Sequence, residues 1–282
     1  MRQCIEADPR LSMGNRFHDR KVKRLYTFVS THVGKKTAST QRTARCAAVK
    51  LCAKVAWICG VGREFLRSAS TKKTTSVAVI GLLEALETML PRVEQVVACA
   101  RRAGKGEKVP AADRIFSIFE PHTELLIRGK ARKPVEFGHM VTIGQTQEKF
   151  ISFYGVERKS RHDIHLGDEA LEDHKQKFGA YPDGFAADKN YYGGQEHAAK
   201  WKDRIPHYSV GKKGRRDEEE TAREHSSMFR LLQKFRAGCE GSISVLKRVF
   251  GLTRCLNRGF NSFASTIGNI VFCHNLVILS RL

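Results

Sequence analysis

Apolar positions recur three and four residues apart in the first part of the chain, where Ala47, Ala48, Leu51, Val55 and Ile58 form one stripe with Lys50 and Lys54 off it. That period predicts a helix buried along one face. A second stripe runs from Ser76 through Val79, Leu82, Leu83 and Leu86 to Leu90. It is predicted to end before Pro91, whose ring removes an amide donor and crowds the preceding turn. The polar run over 70–76 separates the two and offers Thr or Ser as an N-cap. Residues 1–110 therefore read as helical.

The segment 101–110 is rich in glycine and charge and reads as a hinge, after which the pattern changes. A boundary placed there gives a basic helical region over 1–110 and a second domain over 111–282. In the second domain, 115–119, 135–143 and 149–156 have strand lengths and strand-like apolar content, and the last two, separated by 144–148, predict a β-hairpin. A helix is expected over 166–178, then a short buried strand over 184–187 with Asp188 at its end. A short helix over 196–202, a strand over 207–210 and a charged loop over 212–220 follow, with final helices over 224–249 and 260–279. Strands, then a helix, a strand and helices again describe an α/β fold of mixed layers. No internal repeat is present.

Charge narrows the partner. Of 282 residues, 50 are Lys or Arg against 29 Asp or Glu, a formal net charge of +21, which favours a polyanion, nucleic acid first among them. The clusters Arg20, Lys21, Lys23, Arg24, then Lys35, Lys36, then Lys212, Lys213, Arg215, Arg216 are candidate phosphate contacts, with a solvated surface as the alternative. The eight cysteines include no Cys-x-x-Cys pair, which excludes a zinc ribbon. They fall in apolar helical stretches where a reduced thiol acts as a small hydrophobe, consistent with a reducing cytoplasm. The N-terminal residues lack the apolar core of a signal peptide. The most apolar tract, 267–279, is interrupted by Asn269, His274 and Asn275 and reads as too short to span a bilayer, so no membrane partner is expected.

Candidate chemistry lies late in the chain. Arg236, Glu240 and Lys247 are separated by one and two helical turns, so they project from one face of a helix. Asp188 ends a strand-like run upstream. Two carboxylates from different elements of a basic chain suggest divalent metal chemistry on nucleic acid, although a strand-end Asp can simply cap a helix and a helical Glu can simply be solvated. His162, His165 and Asp168 match no standard zinc spacing and read better as a polar loop before a helix. Tyr191, Tyr192 and Trp201 have two readings, stacking on an extruded base or packing in the core.

Several runs are familiar. Arg-Ile-Phe-Ser-Ile-Phe-Glu-Pro-His-Thr-Glu over 114–124, Gly-Lys-Ala-Arg-Lys-Pro-Val-Glu-Phe-Gly over 129–138, Asp188-Lys189 and the Glu240 helix resemble bacterial insertion-sequence transposases of the ISNCY group, themselves similar to the broader DDE class. Residues 34–50 resemble the same group, so the likeness covers nearly the whole chain.

The resemblance implies an RNase H-like core in which three carboxylates hold two divalent cations, Mg2+ or Mn2+. One cation activates a water or a DNA 3′-hydroxyl, and the other stabilises the leaving oxygen of an in-line phosphoryl displacement. Asp188 matches the second acidic residue and Glu240 the third, while Arg236 and Lys247 match the Arg and Lys of the signature around that Glu. The Tyr of the signature falls at 233, where Gln233 stands. In the family the first Asp lies on a strand upstream of the point where this chain begins, and residues 1–7 resemble the helix after it, so an N-terminally truncated chain lacking one ligand is expected. Glu120 occupies its ordinary family place and Asp113 is loop-like, so neither replaces that ligand. The implied partner is double-stranded DNA, at transposon ends and target, bound by a homodimer in the bacterial cytoplasm and nucleoid. Two functions follow: a transposase, or a non-catalytic DNA-binding remnant that represses or competes. An RNA-processing nuclease is disfavoured, since no RNA-binding module appears.

Overall fold

The helical stripes fold as helices in a computed structural model that describes residues 1–14, 17, 19–32, 37–72, 76–127 and 135–282. Lys35 and Lys36, and the 129–134 part of the family-like run, lie outside the described residues, as does 73–75 of the polar break. The chain forms two compact units, Met1–Thr123 and Glu124–Leu282.

The first unit contains α1 (Arg2–Ala7), α2 (Asp19–His32), α3 (Ala38–Thr71) and α4 (Val77–Gly104). Cys4, Leu11, Phe65, Ala69 and Val79 are buried together, with Leu82, Leu83 and Leu86 of α4 packed against them. A Cβ at Gly62 would meet the Leu90 side chain at 3.0 Å, so glycine there lets α3 and α4 approach closely. Arg63 and Glu94 bridge the same two helices. Cys59 is buried beside this pair, and its burial pushes the thiol pKa up, consistent with a packing role.

Two expectations need correcting in this unit. The second helix does not stop at Pro91 but runs on to Gly104, because Leu90 and Val97, on either side of the exposed proline, remain buried and hold the stripe in place. Residues 115–119 form no strand. They follow a 3-10 turn, Ala111–Asp113, and α4 side chains take up one carbonyl within the segment and one just before it: Arg92 donates to Ile118, and Gln95 and Cys99 to Asp113. Carbonyls satisfied in this way need no ladder partner.

In the second unit the order is β1 (Glu124–Ile127), β2 (Val135–Gly138), β3 (Val141–Gln145), β4 (Ile151–Val156), α5 (Asp163–Phe178), β5 (Gly184–Ala186), α6 (Gln195–Lys202), β6 (His207–Ser209), α7 (Glu218–His225), α8 (Ser227–Arg248) and α9 (Phe260–Leu279). This is a mixed α/β arrangement. Among the described residues the strands make three two-stranded ladders: β1–β2 and β3–β4 antiparallel, β5–β6 parallel. The predicted hairpin is β3–β4, with Lys149 at φ 70 in its turn. The run 135–143 is two strands instead of one, because Gly138 at φ 151 breaks it and β2 pairs with β1, a strand the sequence pattern did not reveal.

Capping explains the remaining differences. The last part of the charged loop is the first turn of α7: Asp217 accepts the amide of Glu220, and Glu218, Glu219 and Glu220 sit where the helix dipole favours acids. Ser226 accepts the amide of Phe229 and opens α8, so the region expected as one helix over 224–249 is two. The apolar tract 267–279 lies within the longer α9, which at 20 residues is long and apolar enough, by length and composition alone, to cross a membrane. Within the unit, Asn275 of α9 clasps the Ile151 amide and carbonyl of β4, each at 2.9 Å.

The core beneath the parallel strands gathers Leu171, Ala187, Ala198, Trp201, Ile205, Tyr208 and Val210. Trp201, 1% exposed, is its largest member, and its indole N–H donates to Asp168 at 2.6 Å. Trp201→Ala is expected to destabilise this unit by about 3–5 kcal/mol through cavity formation and loss of that bond. Trp201→Phe should cost clearly less, and chemical denaturation of the three proteins makes the comparison.

Candidate functional site

Parallel strands of an α/β layer present ligands at their carboxyl ends. Here β5 and β6 run side by side, Gly184 opposite His207 and Ala186 opposite Ser209, and the Ala187 amide extends the pairing to the Ser209 carbonyl at 3.3 Å. Asp188 follows at once. It precedes a 3-10 turn, Lys189–Tyr191, yet its side chain makes no capping bond. The carboxylate is therefore not committed to the role that a strand-end Asp most often plays.

The turn is held from below. A Cβ at Gly167 of α5 would approach the Tyr191 ring to 2.8 Å, so glycine at 167 lets the ring pack closely against the helix. Burial, followed by the charges of Asp163 and Asp188, raises the Tyr191 phenol to a pKa of about 12, so it stays protonated throughout the working range.

A cleft of about 280 Å3 opens beside Asp188, lined also by Lys189, Gly211, Glu224, Gln233 and Arg236. Arg236 enters from α8, and one of its terminal nitrogens stands 3.7 Å from Glu240, one turn further along. The structure thus brings Asp188 and Arg236 into one cleft, whereas Glu240, 74% exposed, does not line it and is linked to it only through Arg236. Lys247 is exposed two turns beyond Glu240 on α8.

The other candidate contacts divide. Lys21, Lys23 and Arg24 are exposed on α2. In the loop before α7, Lys212 pairs with Asp217 at 2.8 Å, Arg216 pairs with Glu224 at 2.8 Å, and Lys213 reaches the Asn190 carbonyl at 3.4 Å, whereas Arg215 is exposed. His162 and His165 gather no metal: Asp168 accepts from His197 and from Trp201. Trp201 is a core residue and Tyr191 is largely covered, so neither is presented for stacking.

Glu220 anchors α7 beneath the loop. Burial works to raise its carboxyl pKa, but bonds from Arg223 and Lys202 outweigh burial and hold it below the ordinary glutamate range. Its contribution to stability is complete above the unfolded value of about 4.3 and is lost as pH falls through the lower folded value. Melting curves taken downward from pH 6 should show Glu220→Gln losing less stability than the unaltered chain over that acid window.

Asp188 at the cleft and Glu240 on α8 each offer hard oxygen donors, the type that holds Mg2+ through one or two carboxylates completed by water and phosphate oxygens. The other carboxylate lining the cleft, Glu224, is taken by Arg216 and the Lys212 amide. Among the described residues no group of three or more His, Cys, Asp or Glu side chains could enclose a metal ion. The donors present fit a cation shared with substrate phosphate, not one enclosed by protein.

In the sequence Lys189 stood out only as part of a family-like run, and nothing marked Glu224 or the inward role of Gln233. For Gln233 the signal was visible, an amide in place of the signature Tyr; for Glu224 there was none. A family model described as transposase DDE domain matches residues 128–276, a span that includes both Asp188 and Glu240. No curated protein and no solved structure matches the chain.

Proposed function

The chain belongs to the transposase DDE-domain family, and from that premise we propose that it is an insertion-sequence transposase of the ISNCY group, acting on double-stranded DNA in the bacterial cytoplasm. The observation that carries this reading is the uncapped Asp188 carboxylate at the carboxyl ends of two parallel strands, facing a cleft that Arg236 shares.

In this reading the second unit is an RNase H-like catalytic domain. Asp188 and Glu240 would hold a divalent cation, Mg2+ or Mn2+, which would supply charge neutralisation and nucleophile activation for an in-line phosphoryl displacement. The chain's own groups do the rest. Arg236 and Lys189 meet the non-bridging oxygens of the scissile phosphate, where negative charge is concentrated. Lys247 and Arg215 follow the backbone on either side, and the cations of α2 add contacts from the helical region, which we assign to DNA binding. A homodimer on paired ends completes the proposal.

A second reading, DNA binding without strand transfer, is favoured by the small number of carboxylates lining the cleft, Asp188 and Glu224, of which Glu224 is committed to Arg216. A duplex of about 40 base pairs incubated with the chain and Mg2+ separates the readings: cleavage supports the first, binding without cleavage the second, and neither rejects both.

A further inference from the structure

Gln233 commits its bonding groups to the protein itself. Its amide nitrogen donates to the Ser209 carbonyl at 2.7 Å and lies 3.1 Å from the Ser209 hydroxyl and 3.4 Å from the Ala187 carbonyl. Its amide oxygen accepts the Nε–H of Arg236 at 3.0 Å. One side chain therefore ties the ends of both parallel strands, directly before Asp188, to the guanidinium that reaches Glu240. A tyrosine hydroxyl, implied at this position by the resemblance, has one proton to donate and could serve one of those carbonyls but not both.

We propose that Gln233 is a positioning residue for DNA, acting through Arg236 and not by touching DNA. An arginine on a flexible stem loses rotamer freedom when it clamps a phosphate. Fixing its Nε–H beforehand removes that loss from the binding step and turns the terminal nitrogens toward the cleft. The inference rests on the transposase reading of the cleft, because it takes a DNA phosphate to be what Arg236 meets.

A double-mutant cycle on duplex DNA tests it, with affinity measured at one salt concentration and a thermal melt of each protein. Gln233→Met, which keeps side-chain volume, is expected to weaken binding about fivefold to tenfold, and Arg236→Gln by at least as much. In the Arg236→Gln background, Gln233→Met should cost less than about twofold. A similar loss in both backgrounds means that Gln233 acts independently of Arg236, and it overturns the proposal. If Gln233→Met does not fold, Gln233→Leu, which likewise removes both the donor and the acceptor, takes its place in the same cycle with the same expected and overturning outcomes. Failure of the unaltered chain to bind duplex DNA rejects the transposase reading beneath it, whereas binding with an additive cycle rejects the Gln233 role alone.

Discussion

Asp188→Asn should abolish metal-dependent cleavage of duplex DNA, a loss of about 10³-fold or more, while leaving the melting temperature unchanged. The two halves of this expectation have one origin. The Asp188 side chain caps no helix and stands exposed at the cleft, so a neutral amide of the same shape removes no bond that the fold depends on. What it removes is a hard anionic oxygen, and a divalent cation gives up hydration only for such donors. Glu240→Gln should behave alike, since Glu240 is exposed and its nearest charged neighbour, Arg236, is at 3.7 Å, too far for a hydrogen bond. Cleavage that survives both substitutions removes the site. An unaltered chain that binds duplex without cutting it over a titration of Mg2+ and Mn2+ supports the non-catalytic reading instead. A fall in melting temperature with the cleavage loss would mean that Asp188 is structural, against the geometry of its turn.

Much of this site was legible in residues, and the reasons for the remainder are physical. The strand before Asp188 could be read because Phe185, Ala186 and Ala187 make an apolar run ended by a carboxylate, and the helix bearing Glu240 because its period is unbroken. Whether Asp188 capped its turn could not be read, since capping depends on one side-chain torsion that the sequence does not encode visibly. The hydrophobic pattern predicted α3 and α9 but misjudged the end of α4, where local proline chemistry yielded to continued burial at Leu90 and Val97. It also misread 115–119, whose apolar content looks like a strand until Arg92 of α4, which occupies the Ile118 carbonyl, is known. That partner lies 26 residues away in sequence. Gln233 was visible as a departure from a signature, and its meaning lay in contacts with Ser209 and Ala187 that only folding brings together.

The affinity of the chain for duplex DNA should fall by about 10³-fold or more between about 50 and 200 mM salt, as expected when 6–10 phosphates are neutralised. The argument is not net charge alone. A formal charge of +21 fixes the sign of the partner, but the slope depends on cations that reach phosphates and release counterions. The structure sorts them. Lys212 is already paired with Asp217, and that pairing raises its pKa, through the hydrogen bond first, so it stays charged without being available. Lys247 is exposed on α8, and Lys21, Lys23 and Arg24 are exposed on α2. Lys247→Gln should therefore reduce the salt slope by about one unit, whereas Lys212→Gln should leave it nearly unchanged. Fluorescence anisotropy over a salt series, with a duplex of unrelated sequence as the comparison, measures both. A flat response from the unaltered chain contradicts the electrostatic account, and equal effects of the two lysines contradict the pairing that distinguishes them.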